Sequence, residues 1–318
     1  MIALGDVLSW DEWLSLDIGE PDWLIPEVLE RGGGGLLHGS SRSFKSFWLL
    51  RLCLDLASQR PILDIWEQTR PYRTFMLQAE GSKRAWRDRM TALRDQYPPG
   101  IPFWSRHTIT EKLDTKQGMA AMESALALVK PDLVVIDPIA FFFTGSDSDP
   151  VAVQRWLDAV NIWRDVSGAA VLLCHHDRQQ IRFPGRGGIQ TVDAGMDEAR
   201  GSTRLPAWAD FVGHMRRKGD LTTFTIQKVR DSLDQQAFTF TLKGGKLVLT
   251  SRGDDIPKLI LTAIAGSEWF MADLIREVRK GTEYTDRTVR RTVDKLVLDG
   301  KLRQSMRGGK ILLKRVEV

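Results

Sequence analysis

The sequence predicts an α/β protein: a three-layer core on a mostly parallel sheet, extended by antiparallel strands and followed by a small winged-helix-like domain. Three observations carry this expectation. Aliphatic runs alternate with helical stretches up to residue 174, strands of apolar–polar alternation occupy 211–251, and the last 63 residues read as three helices and a hairpin.

Residues 1–31 form a polar, Trp-bearing lead segment ending in Pro26 and a short helix at 27–31, after which four glycines at 32–35 release the chain into a first strand. A helical stretch follows at 47–52. Residues 73–79 fit a buried strand, 82–96 a helix with a basic start, 102–105 a further strand and 116–129 an amphipathic helix. The runs 133–136 and 169–174 are continuously aliphatic, as buried parallel strands require, with a helix at 151–166 between them. Residues 178–198, where Arg178, Arg182 and Arg186 lie among glycines, read as a mobile loop. Segments 211–216, 221–229, 237–242 and 246–251 then alternate as antiparallel strands do, with a hairpin tip at 243–246. The strand signal stops near 252–255, giving expected units of 1–31, 32–253 and 256–318. In the last, helices at 258–265, 271–279 and 285–298 precede hairpin arms at 302–306 and 310–316, the order of a winged helix.

Composition narrows the function. An apolar fraction of 42% with 27% charged residues is that of a globular protein rather than a disordered chain. Eleven scattered Trp fit core or interface anchors. Only Cys53 and Cys174 occur, both in apolar segments, so a reducing cytoplasm is expected and a disulfide framework is not. No apolar run approaches the ~20 residues of a membrane span, and no signal-peptide pattern opens the chain. Net charge is +4, but residues 256–318 alone carry +6. A basic end on a near-neutral body points to nucleic acid.

Residues 39–46 match the phosphate-loop pattern G-x-x-x-x-G-K-[ST] at Gly39, Lys45 and Ser46, with Phe44 where the second Gly belongs. Backbone N–H groups of Gly39, Ser40, Ser41, Arg42, Ser43, Phe44, Lys45, Ser46 and Phe47 would cradle phosphates, with Lys45 on the terminal ones and Ser46 on Mg²⁺. If position 44 needs a positive φ, Phe44 is strained; otherwise its ring lies over the site. Asp137 ends the 133–136 run, where a carboxylate complements Ser46 in holding Mg²⁺. Glu80 ends the 75–79 run, where a base can activate water, although a cap of the next helix explains it too. His175 and His176 follow the 169–174 run, placed to touch a γ-phosphate. Metal ligation is not expected of them, since no further His or Cys lies at zinc-like spacing. Lys228 and Arg230 share one strand face and suit fingers inserted into a neighbouring subunit's site, or a plain surface pair. Arg178, Arg182 and Arg186 suit single-stranded nucleic acid. Arg287, Arg290, Arg291 and Lys295 on the third terminal helix, with Arg307 and Lys310 at the hairpin tip, suit duplex DNA or, alternatively, form a solvated face of a protein-binding module.

Residues 23–26, 35–39, Lys45-Ser46 and 77–81, with 132–138, 174–176 and 199–202, resemble RecA-like AAA-type ATPases related to plasmid RepA hexameric helicases. The likeness spans about residues 20–250. It implies a RecA-like P-loop NTPase core, with Lys45 and Ser46 on ATP and Mg²⁺, Glu80 as catalytic base and Asp137 as the strand-end carboxylate. It further implies His175 or His176 as phosphate sensor, Lys228 and Arg230 acting across a subunit boundary, and a homohexameric ring around single-stranded DNA. The expectation is therefore a ring-forming ATPase of a plasmid, phage or similar element, of helicase or helicase-loader type. Two alternatives stand beside it: a weakly or non-hydrolysing regulator that binds duplex DNA, and a scaffold ATPase whose tail binds protein.

Overall fold

The computed structural model describes residues 7–107, 111–177, 183–185, 188–190, 203–230, 236–252, 255–264, 268–279 and 286–316. Helix α1 (Trp10–Ser15) starts on a capping box, in which Ser9 and Glu12 satisfy each other's backbone N–H groups, and it buries none of its residues. The short helix expected at 27–31 does not form. The chain there forms an antiparallel hairpin, β1 (Trp23–Ile25) with β2 (Leu29–Glu30). Glu27 takes φ +59, which an α-helix does not admit, and the Val28 N–H closes the turn on the Ile25 carbonyl. Leu24, Ile25, Val28 and Leu29 sink into the same apolar cluster as the sheet, so this part of the lead segment is built into the body.

Next come β3 (Gly34–Gly39), α2 (Lys45–Ser58), β4 (Thr74–Gln78), α3 (Lys83–Leu93), β5 (Phe103–His107), α4 (Lys116–Val129), β6 (Leu133–Asp137), α5 (Pro150–Ser167) and β7 (Ala170–His176). Two short strands, β8 (Phe183–Gly185) and β9 (Gly188–Gln190), pair as a hairpin inside the stretch read from sequence as a loop. Arg178, Arg182 and Arg186 lie outside the described residues. Helix α6 (Arg204–Trp208) leads into β10 (Phe211–Lys218), β11 (Leu221–Val229), β12 (Ala237–Lys243) and β13 (Lys246–Arg252).

One sheet of nine strands results, ordered β13-β12-β11-β10-β3-β7-β6-β4-β5. From β10 to β5 every pairing is parallel, and β11, β12 and β13 continue it antiparallel. The RecA-like α/β class is thus present. Strand β10 is antiparallel to β11, as its alternation predicts, and on its other edge it runs parallel to β3. The preceding α6 returns the chain to the same end of the sheet, and Phe211 and Val212 are buried on opposite faces, as an interior strand requires. Side chains of the central strands alternate between two cores. Leu37, Met76, Val135 and Leu172 face α2 and α3, whereas Leu36, Leu77, Ile136 and Leu173 face α4 and α5.

The remaining elements are α7 (Asp255–Ala263), β14 (Trp269–Phe270), α8 (Met271–Val278), α9 (Asp286–Leu298), β15 (Leu302–Arg307) and β16 (Lys310–Arg315). They enclose a third core, with Ile260, Leu274, Val289, Val293 and Leu313 buried together, and β14 adds a third strand to the hairpin sheet. Among the described residues no helix is long and apolar enough to cross a membrane.

Candidate nucleotide site

At the C-terminal end of β3 the chain must turn immediately beside β10. A Cβ on Gly39 would stand 2.3 Å from the Met215 carbonyl oxygen, so only glycine fits. The loop then places Arg42 at φ +63 and Phe44 at φ +66. These left-handed residues flank Ser43 and fold the backbone into a tight turn, closed by the Ser43 N–H on the Ser40 carbonyl, of the kind that forms anion-binding nests. Helix α2 starts at Lys45 with no side-chain cap and no acidic residue in its first turn. Its first N–H groups have no intrahelical acceptor, and the positive end of the helix dipole faces the loop.

Phe44 therefore occupies the strained alternative. A left-handed non-glycine residue costs about 1–2 kcal/mol. Two contacts offset this: the ring meets Phe47 edge-on at 5.9 Å, and the Arg217 guanidinium stands 4.3 Å over its face. Phe44→Gly is expected to change stability by no more than about 1 kcal/mol, because strain relief and lost ring contacts are of similar size. Urea denaturation of both proteins measures it.

The Lys45 ammonium lies in the loop, donating to the carbonyls of Gly39 at 2.6 Å and Ser40 at 2.9 Å, and it sits 3.4 Å from His176 Nδ1. His176 Nε2 in turn lies 3.1 Å from Glu80 Oε1. With Nδ1 facing an ammonium donor, the imidazole carries its proton on Nε2 and donates it to Glu80. The hydrogen bond from His176 lowers the Glu80 pKa, outweighing partial burial, with help from the charges of Lys45 and Arg89. The carboxylate is thus kept in the form a general base requires. His175 is on the other side of β7, buried, with Nε2 3.7 Å from Asp147. The pleat of the strand decides between the two histidines, bringing His176 to Glu80 and Lys45.

Asp137, at the end of β6, is buried, and that burial pushes its pKa up; hydrogen bonds from Cys174 and Ser46 pull it back. Its Oδ2 also accepts from Gln78 Nε2 at 3.0 Å, while Gln78 Oε1 accepts the Glu80 backbone N–H at 3.0 Å. Ser46 and Asp137 thus form one cluster of hard oxygen donors, the donor set Mg²⁺ selects. Gln78 was missed in the sequence. Its signal was its place two residues before Glu80, on the same face of the strand end.

A family model described as an AAA domain matches residues 3–180, more than half the chain. The chain belongs to the AAA domain family. No curated protein matches it. The AAA domain places the chain among nucleotide-dependent ATPases, and the matched span contains the loop, Glu80, Asp137 and both histidines.

Outside that span, Lys228 and Arg230 of this AAA domain protein lie away from their own loop. Lys228 pairs with Val212, which pairs with Leu36, whereas Gly39 pairs with Met215. Three residues of strand, about 10 Å, separate the two ends. The Lys228 ammonium caps α6, donating to the carbonyls of Pro206 at 3.0 Å and Ala209 at 2.6 Å, and Arg230 pairs with Asp210 at 2.8 Å. Arg290, Arg291 and Lys295 are exposed on α9, as are Arg307 and Lys310 at the hairpin tip; the Arg287 side chain is outside the described residues.

Proposed function

We propose that this AAA domain protein is an Mg²⁺-dependent ATPase that assembles as a ring and acts on DNA, as a helicase or helicase loader of a mobile element. The observation carrying the reading is the connected set of Lys45, His176 and Glu80 beside the Ser46–Asp137 oxygen pair. Bound Mg²⁺, held by Ser46 and Asp137, would supply charge compensation for the phosphates. Lys45 exchanges the Gly39 and Ser40 carbonyls for phosphate oxygens. Glu80 takes a proton from the attacking water, and His176 orients the Glu80 carboxylate and links it to Lys45.

Two features support assembly and DNA contact. Lys228 and Arg230 are remote from their own loop and suit a neighbour's site, with Arg230 the more exposed. The exposed cations on α9 and the terminal hairpin suit a duplex backbone in winged-helix fashion.

The test is the ATPase rate with and without single-stranded DNA, on protein sized by light scattering. A hexamer whose rate rises with DNA, and falls again as salt is raised, is expected. A monomer whose rate ignores DNA would overturn the assembly and DNA parts of the reading.

The lowered Glu80 pKa sets the acid limit of the rate. Activity should persist as pH falls below the ordinary glutamate value of about 4.3, for as long as the fold holds. In His176→Ala the carboxyl loses its principal hydrogen bond, so the acid limb of kcat should move upward. An unmoved limb would mean that His176 does not set the charge of Glu80.

A further inference from the structure

A second polar cluster lies beside the phosphate loop, and nothing in the hydrolytic chemistry uses it. Strands β10, β3 and β7 are neighbours, so His214 and His38 fall opposite each other in register, and Asp177 follows the last residue of β7. The two imidazoles stack at 4.7 Å with planes 24° apart. His38 Nδ1 is 2.8 Å from Asp177 Oδ1, and His214 Nε2 is 3.2 Å from Asp177 Oδ2. One ligand atom from each of the three residues lies within 4.8 Å of the others. His38 is fully buried, and the side chains of Asp177 and His214 are each only 12% exposed.

The outer partner of His38 decides what the cluster presents. Gln227 Oε1 lies 2.8 Å from His38 Nε2. A carboxamide oxygen there accepts the ring proton, which leaves the Nδ1 lone pair aimed at the Asp177 carboxylate. Two lone pairs do not face each other at that separation, so either a second ring proton or a bound metal ion lies between them. An imidazole whose far nitrogen is fixed by an outer hydrogen bond is the standard support of a metal-bound histidine. Two imidazole nitrogens and a carboxylate, largely shielded from solvent, are the donors of a zinc-class ion rather than of Mg²⁺. A tetrahedral ion with bonds of about 2.0–2.1 Å spaces its ligands by roughly 3.3 Å, so separations of up to 4.8 Å close by as much as about 1.5 Å on binding.

We propose that His38, Asp177 and His214 bind a divalent transition-metal ion of the zinc class, with Gln227 orienting His38. The site is separate from the Ser46–Asp137 pair and does not depend on the proposed action on DNA. It ties together the ends of β3, β7 and β10, and its effect reaches the loop. The Asp177 N–H donates to the Gly39 carbonyl at 3.2 Å, and Asp177 directly follows His176. Occupancy therefore fixes both the first residue of the phosphate loop and the residue beside Glu80.

Co²⁺ is the probe. Full-length, nucleotide-free protein is stripped with a chelator and titrated with Co²⁺, then with Zn²⁺. About one Co²⁺ per chain is expected, with the intense visible bands of a four- or five-coordinate, histidine-ligated ion, displaced by Zn²⁺. The bands should vanish in His214→Ala and Asp177→Asn and persist in Asp137→Asn, which removes the oxygen-donor site instead. Gln227→Leu should weaken binding by roughly tenfold to a hundredfold, and it keeps the test decisive if the ligand variants fail to fold. A wild-type protein without such bands overturns the proposal, as do bands that survive both ligand substitutions, bands that vanish in folded Asp137→Asn, or a Gln227→Leu protein of unchanged affinity.

Discussion

Glu80→Gln is expected to lower kcat by about two to four orders of magnitude while leaving ATP binding nearly intact. The amide keeps the size of the carboxylate and can still meet His176, but it cannot accept a proton from water. The loop residues that hold phosphate are untouched, since Glu80 reaches Lys45 only through the His176 ring. Lys45→Ala should behave differently and lose nucleotide affinity, because its ammonium is the cation inside the loop. Measuring nucleotide affinity and steady-state hydrolysis on both variants separates the two roles. A Glu80→Gln protein that hydrolyses at the wild-type rate would remove Glu80 from the mechanism.

The second large effect is on stability. Trp156 on α5 is fully buried, meets Trp163 edge-on at 5.4 Å and lies 5.9 Å from Phe143. Trp156→Ala should destabilise the fold by about 3–5 kcal/mol, since α5 and β7 cannot close over a cavity of that size without disturbing the sheet. Trp156→Phe keeps an aromatic ring and should cost under about 1.5 kcal/mol. Chemical denaturation with both variants tests this, and equal losses would show that the site tolerates the cavity.

Much of the fold was legible because its signals are local. The runs at 133–136 and 169–174 became β6 and β7, and 116–129 became α4 with the bounds read from its periodicity. The hairpin at 23–30 was misread because five residues around Pro26 support a helical turn as readily as a tight one. Only burial of Leu24 and Leu29 under the sheet selects the hairpin. The parallel pairing of β10 with β3 was equally hidden, since apolar–polar alternation fixes which side chains face inward and says nothing about which neighbour the strand joins.

The site divides along the same line. The residues of the phosphate loop are contiguous, so the sequence alone determined that a strand, a tight turn and a helix N-terminus would come together around Lys45 and Ser46. It also placed Asp137 and Glu80 at strand ends, because a buried aliphatic run that stops at a carboxylate marks the edge of the sheet. Tertiary structure decided the rest. It chose His176 over His175 through the pleat of β7, set Gln78 between Asp137 and Glu80, and moved Lys228 to α6. It also joined His38 to Asp177 across 139 residues of sequence. Those contacts run across the sheet rather than along the chain, and strand order, which no local pattern encodes, determines which side chains meet there.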